Sequence, residues 1–364
     1  MYVSNDIVVF DSCDIHFVKK FGVQEATEMV QNFYTLNSHP FIYDTYQLAS
    51  LLEIDRKTLF KMARKHNLYY HDISIKKSNG TLRQINAPTN RLKYIQKQIL
   101  HTILEKFPVS EYATAYKRGT PITANAIPHK NRKYLLKMDL EDFFGSITFI
   151  QVYRNVFNTR YFPKQIGTIL TELCCKDDVL PQGAPTSPML SNLVMRHFDD
   201  TIGNWCKKRG ISYTRYSDDM TFSGDVPLYF VYEKVCRILK KMGFEINEKK
   251  THFITNASRQ TVTGLTVNDE VRIPADYKRK LRQEVYYALK YTVEGSLKHT
   301  KNTDYVSTHY TYIGSYEVYE CHKYLNHLLG QINYVLGVEP ENKYFRDAKK
   351  KLIDKYKHKY WLPY

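Results

Sequence analysis

Apolar positions follow helical spacing in several stretches. RLKYIQKQILHTILEKF sets Leu92, Ile95, Ile99, Ile103 and Leu104 on one helical face. Pro188, at a helix start, precedes Leu190, Leu193, Val194, Phe198, Ile202 and Trp205, an amphipathic helix suited to covering a sheet. FVYEKVCRILKKMG reads as a helix closed by Gly243. TYQLASLLEIDRKTLFKMARK divides into two short helices around Glu53 to Asp55. Its likeness to a DNA-reading helix-turn-helix is weak, and a plain helical hairpin is preferred.

Elsewhere the period is two. DISIKKSNGTLRQINAP, residues 72 to 88, alternates on either side of Asn79-Gly80, a hairpin signal that groups Lys76, Lys77 and Arg83. KYLLKMDLEDFF begins as an apolar strand and ends in acids, so Asp139 is expected where a buried strand meets a site. RYSDDMTFSG reads as strand, tight turn, strand, and RQTVTGLTVNDEVRI supplies further strands. Beyond about residue 270 the chain turns helical, basic and tyrosine-rich, suited to gripping a duplex or to forming a solvated bundle. The mixture predicts an α+β chain without internal repeats.

Composition narrows the partners. Lys and Arg outnumber Asp and Glu by 53 to 37, a net charge of +16, beside 31 Tyr and 18 Phe. That balance favours phosphate neutralisation with stacking on bases or sugars, although tyrosines also fill cores. No run approaches the roughly 20 apolar residues of a membrane span, and the first residues lack a signal-peptide pattern, so a cytoplasmic protein is expected. The six cysteines lack the spacing of a zinc cage and are read as reduced, mostly buried thiols.

Asp218 and Asp219 are neighbours of like charge. Acids are common in turns, where they bond backbone amides, and an isolated pair would carry no more meaning than that. Asp139 at the end of a second strand, the basic hairpin and the loop LPQGAPTSP, residues 180 to 188, change the balance. Hard divalent cations would relieve the repulsion, and two of them ~3.5 to 4 Å apart serve in-line phosphoryl displacement.

Together these stretches resemble a reverse transcriptase. MDLEDFF resembles the strand with the first catalytic aspartate, LPQGAPTSP the template and nucleotide loop, YSDD the Tyr-x-Asp-Asp hairpin, and FEINEKKTHF the Asn-x-x-Lys-Thr segment with Asn247, Lys250 and Thr251. NAIPH, residues 125 to 129, and VTG, residues 262 to 264, resemble signatures of retron reverse transcriptases. Ser217 departs from the Ala usual there.

The resemblance implies a right-hand polymerase. Its fingers would be 56 to 135 with 157 to 180, its palm, an antiparallel sheet backed by helices, 136 to 156 and 181 to 268, and its helical thumb 269 to 364. Residues 1 to 55 would be a helical lead-in. Asp139 and Asp218 would ligate two Mg²⁺ ions, with Asp219 a more peripheral third. Phe144 would exclude the 2′-hydroxyl, and Gln182 and Gly183 would border the incoming nucleotide, with Pro185, Ser187 and Pro188 stiffening the loop. Arg83 would contact the triphosphate, with Lys76 a weaker candidate, and Lys250 would touch or protonate the leaving pyrophosphate. Tyr216 and Lys77 would lie along the template and primer, with a core role for Tyr216 nearly as plausible, and Asn125 and His129 would serve recognition of a cognate noncoding RNA.

Retron membership further implies branched RNA-linked DNA (msDNA) made from deoxynucleoside triphosphates, primed from a guanosine 2′-hydroxyl, and antiphage defence with an effector protein. Two alternatives stay open. One is a reverse transcriptase of another bacterial class, intron-encoded or abortive-infection type, although no maturase or endonuclease extension is read after Tyr364. The other is an RNA-binding scaffold or antitoxin component whose polymerase site is dispensable.

Overall fold

The structure, a computed structural model, describes residues 2–4, 7–37, 39–76, 80, 82–293, 295 and 316–356. It is α+β, and the chain forms two compact units: Met1–Arg118 with Leu136–Phe253, and Gly119–Leu135 with Ile254–Tyr364.

In the first unit, helices Ile15–Phe21 and Val23–Leu36 close on a small core of Phe17, Ala26 and Val30. The two short helices expected around Glu53 to Asp55 are Thr45–Leu51 and Arg56–Arg64. Each starts at an aspartate whose carboxylate accepts from backbone amides of the first turn, Asp44 from Tyr46 and Gln47 and Asp55 from Thr58. The basic hairpin pairs Tyr70–Lys76 with Leu82–Pro88, Ile75 opposite Arg83 and Lys76 opposite Leu82. Alternation therefore puts Arg83 and Lys76 on opposite faces.

The apolar stripe from Leu92 to Leu104 is buried throughout, though not on one uniform helix. Asn90–Gln98 is α-helical, Ile99–Ile103 widens into a π turn, and Leu104–Lys106 tightens. Widening by one residue brings Ile99, Ile103 and Leu104 all inward, which constant 3.6-residue spacing would not do.

The central sheet has the strand order Ser212–Tyr216, Asp219–Gly224, Tyr134–Asp139, His252–Thr255. The strand bearing Asp139 thus lies beside the strand that begins at Asp219. Helix Ser187–Lys207 packs against the Ser212–Tyr216 strand and buries Leu190, Leu193, Val194, Phe198 and Ile202. Helix Tyr229–Lys241 contributes Val231, Val235 and Leu239, and the chain reverses through Gly243 at φ 84°. Cys174, Cys175 and Cys206 are buried free thiols.

In the second unit, strands Thr261–Val262 and Leu265–Thr266 are joined by Thr263 and Gly264, both left-handed at φ 45° and 81°. Two consecutive positive φ values suit a two-residue hairpin, and Gly at the second position relieves the strain. Helices Ala275–Lys290, Tyr316–Val338 and Lys343–Tyr356 share a core that includes Leu281, Val285, Leu325, Ile332, Phe345 and Leu352. Residues 119 to 135 fold with these helices, where Asn131 N donates to Val267 O at 2.9 Å and Asn256 N to Lys133 O at 2.9 Å. Among the described residues no helix is long and apolar enough to cross a membrane.

Candidate active site

Asp139 ends its strand 7% exposed, and Asn247 N donates to its carbonyl at 2.8 Å. That tie carries the 247 to 250 segment alongside and lets Lys250 Nζ donate to Asp139 Oδ1 at 2.8 Å. Across the neighbouring strands Tyr216 pairs with Asp219, leaving Ser217 and Asp218 as the turn. Leu140 N donates to Asp218 O at 3.1 Å, so the turn is pinned to the residue after Asp139.

The carboxyls respond to one another. Burial holds Asp139 above the usual carboxylate range, with nearby Asp218 adding to the effect and Lys250 opposing it. Burial likewise raises Asp219, with Asp139 and Asp218 contributing and Lys137 and Lys250 opposing. The hydrogen bond to Asp139 raises Lys250, which stays an ammonium.

The turn conformation is held from below. Ser217 sits at φ 63°, a left-handed geometry costing a non-glycine residue roughly 1–2 kcal/mol. Arg215 Nη1 donates to Ser217 O at 2.9 Å. The rest of this fully buried guanidinium is used on Asp199, at 2.8 Å from Nε and 2.6 Å from Nη2, and on Asn192 Oδ1 at 3.2 Å. Tyr213 OH also donates to Asp199, at 2.8 Å. Burial works against the charge on Arg215 and Asp199 outweighs it, leaving the guanidinium pKa above its ordinary value.

Gln182 O accepts from Asn86 N at 2.8 Å, seating the loop on the hairpin. Gly183 follows at φ 126°, where a Cβ would stand 2.6 Å from Ile85 Cγ2 and 3.1 Å from Asn86 O. Only glycine fits that backbone and that approach. Arg83, exposed, shares the hairpin face with Ile85 and acts electrostatically on Tyr116, whose hydroxyl lies 2.8 Å from Ser217 Oγ. Phe144 is half-buried with its ring 5.4 Å from Phe143, itself buried near Phe244. Tyr216 is 36% exposed, so its ring is not a core ring. Lys76 is exposed at its strand end, and Lys77 lies outside the described residues.

Asn125 and His129 are enclosed, 2% and 0% exposed, within the Thr123–Ala126 and Ile127–His129 turns of the second unit. Burial, with Arg132 nearby, pushes His129 down to about 3, and the ring is neutral at ordinary pH.

The family profile "Reverse transcriptase (RNA-dependent DNA polymerase)" matches residues 75–305. The retron Ec86 reverse transcriptase of Escherichia coli is 31% identical over 253 residues, covering 68% of this chain and 79% of that protein. The chain belongs to the retron reverse transcriptases. The retron Ec83 reverse transcriptase of Escherichia coli is also 31% identical, over 75% of this chain and 84% of its own. The Mx65 enzyme of Myxococcus xanthus is 34% identical over 60% of this chain, which spans 56% of that protein. Among solved structures, telomerase from Candida albicans aligns at TM-score 0.42 and 10% identity, over 97% of this chain and 77% of that one. At that distance the likeness carries no weight beside the family match.

A reverse transcriptase uses divalent metal, and the donor chemistry here suits it: hard carboxylate oxygens, two of them on groups whose ionisation burial and mutual repulsion oppose. Among the described residues no three His, Cys, Asp or Glu side chains are gathered as a finished metal cluster. Asp139 instead has the Lys250 ammonium as its counter-charge.

In this retron reverse transcriptase the sequence reading missed the support beneath the turn: Arg215, Asp199, Asn192 and Tyr116. One signal was available. Asn192, Met195, Asp199, Ile202 and Cys206 repeat at three and four residues along the inward side of helix Ser187–Lys207. An acid in that stripe needs a buried cation. Tyr116 left no comparable trace.

Proposed function

We propose that this retron reverse transcriptase copies part of a cognate structured RNA into single-stranded DNA that stays linked to the RNA, giving msDNA, with synthesis primed from a guanosine 2′-hydroxyl. The observation that supports the polymerase step is the pinning of Asp218 to Leu140, which brings two acids together beside one lysine, while the product and primer rest on retron membership. Asp139, Asp218 and Asp219 would hold Mg²⁺, which when bound supplies charge stabilisation to the attacking and leaving oxygens.

The chain's own groups divide the remaining work. Asp139 and Asp218 would present the carboxylates, and Lys250, already protonated beside Asp139, would supply a proton or a counter-charge to pyrophosphate. Arg83 offers a planar fork for the triphosphate, and the Gln182-Gly183 loop seated on its strand fixes the opposite side. Phe144 stands five residues beyond Asp139, half-buried, and its ring would leave no room for a ribose 2′-hydroxyl.

Fingers, palm and thumb would keep the sequence boundaries except at residues 119 to 135 and 254 to 268, which fold with the C-terminal helices. The C-terminal helices carry outward basic residues, among them Arg279, Lys280 and Lys290 on one helix and Lys350 and Lys351 on another. Such faces suit the phosphates of a template and primer duplex. Antiphage defence with an effector protein completes the proposal and rests on retron membership.

The test is to express the chain with its neighbouring RNA and look for RNA-linked DNA, comparing wild type with Asp218→Asn. Release of the DNA by an enzyme that cuts 2′,5′ linkages identifies the branch. Phage protection that persists without DNA synthesis would give the scaffold reading instead.

A further inference from the structure

We propose that Tyr116 is a positioning residue for the catalytic turn and acts through the Ser217 hydroxyl. The inference rests on reading Asp139 and Asp218 as the reacting site. Three anchors hold consecutive groups of the turn. Arg215 Nη1 bonds Ser217 O at 2.9 Å, Tyr116 OH bonds Ser217 Oγ at 2.8 Å, and Leu140 N bonds Asp218 O at 3.1 Å. The first and third use the backbone and are open to any residue at position 217. The second exists only because this chain has a serine there.

Tyr116 reaches the turn from a fixed base. Thr114 N donates to Arg215 O at 2.9 Å, Arg215 N donates to Tyr112 O at 2.8 Å, and Asn192 Nδ2 donates to Ala115 O at 2.9 Å. The segment is therefore tied to the strand entering the turn and to the helix beneath it. Both ends of the hydroxyl contact are left-handed, Tyr116 at φ 61° and Ser217 at φ 63°, so neither backbone drifts without breaking these bonds. The contact restricts the residue immediately before Asp218 and with it the placement of Asp218 against Asp139.

The tyrosine ring also lines a cavity of about 940 Å³ with Lys117, Arg118, Pro185, Pro188 and Met189. A direct ligand contact there is the competing role, and kinetics separate the two. A positioning residue alters turnover, whereas a residue that grips substrate alters its KM.

Tyr116→Phe and Ser217→Ala each delete one oxygen of the same bond, and both leave the two backbone anchors of the turn in place. With the full chain extending a DNA primer on a homopolymer RNA template, each variant and the double variant should lower kcat by the same factor, about 3- to 10-fold. The nucleotide and template KM should stay within about 2-fold and the thermal midpoint should not move. Effects that multiply in the double variant, that fall in KM, or that are absent from either single variant would overturn the proposal. Asp218→Asn, run in parallel, separates the failures: if it retains activity the reading of the site is wrong, whereas if it is dead and the Tyr116 and Ser217 variants match wild type, only the positioning role is wrong.

Discussion

The acidic turn and the NAIPH segment both resemble family signatures in the sequence, yet the structure treats them in different ways. Asp139 is buried at its strand end while Asp218 and Asp219, in and after the turn, are half-buried, and two of the carboxyls are raised by burial and mutual repulsion. Asn125 and His129 are enclosed, and the histidine is driven neutral. The comparison teaches that a sequence signature marks a constraint without saying which kind. Chemistry leaves charged groups in tension near the surface, and architecture hides polar groups inside.

Replacing an acid should have the largest effect. Asp139→Asn or Asp218→Asn should cut nucleotide incorporation about 10³-fold or more in primer extension while leaving the melting temperature at or above wild type, because a repulsion is removed. Incorporation within tenfold of wild type would erase the contrast.

Arg215→Ala tests whether a hidden group can serve the open site. Removing the guanidinium leaves Asp199 buried and unpaired, which should cost about 3–5 kcal/mol in denaturant unfolding. An unchanged midpoint would mean that the pair is not what supports the turn.

Phe144→Ala keeps the acids and should selectively let ribonucleotides in, measured as the ratio of kcat/KM for a deoxynucleotide to that for its ribonucleotide. An unchanged ratio would return Phe144 to the packing side of the comparison, with Phe143.

His129 should leave catalysis alone and act on stability only. Its folded pKa of about 3 lies below the ordinary value of 6.5, so the unfolded chain takes up the proton first as pH falls. Stability should decline between about pH 6.5 and about pH 3, by up to ~1.4 kcal/mol per pH unit, and His129→Gln should flatten that slope. A slope unchanged in the variant would show that the ring is not sheltered.

The elements were legible where one period or one turn residue decided them. The helix after Pro188, the paired helices around Glu53 to Asp55 and the Asp-Asp turn all lie where the patterns put them. The stripe from Leu92 to Leu104 was read as core correctly, but the π turn at Ile99–Ile103 was not, because a one-residue widening leaves the apolar positions unchanged in the sequence. The acids themselves were legible as motifs. Their support was less so: Asp199 in the buried stripe of its helix signals a buried cation without naming Arg215, and the bond of Tyr116 with Ser217 joins residues 101 apart with no pattern to mark it. His129 shows the converse: its motif was legible and its burial was not.

Gly183 has a mechanical consequence. With no room for a methyl group against Ile85 and with Gln182 bonded to Asn86, the loop and the Arg83 strand touch at two successive residues. On the triphosphate role proposed for Arg83, a pull on its guanidinium would pass through that junction to the loop, coupling the two edges of the proposed nucleotide site.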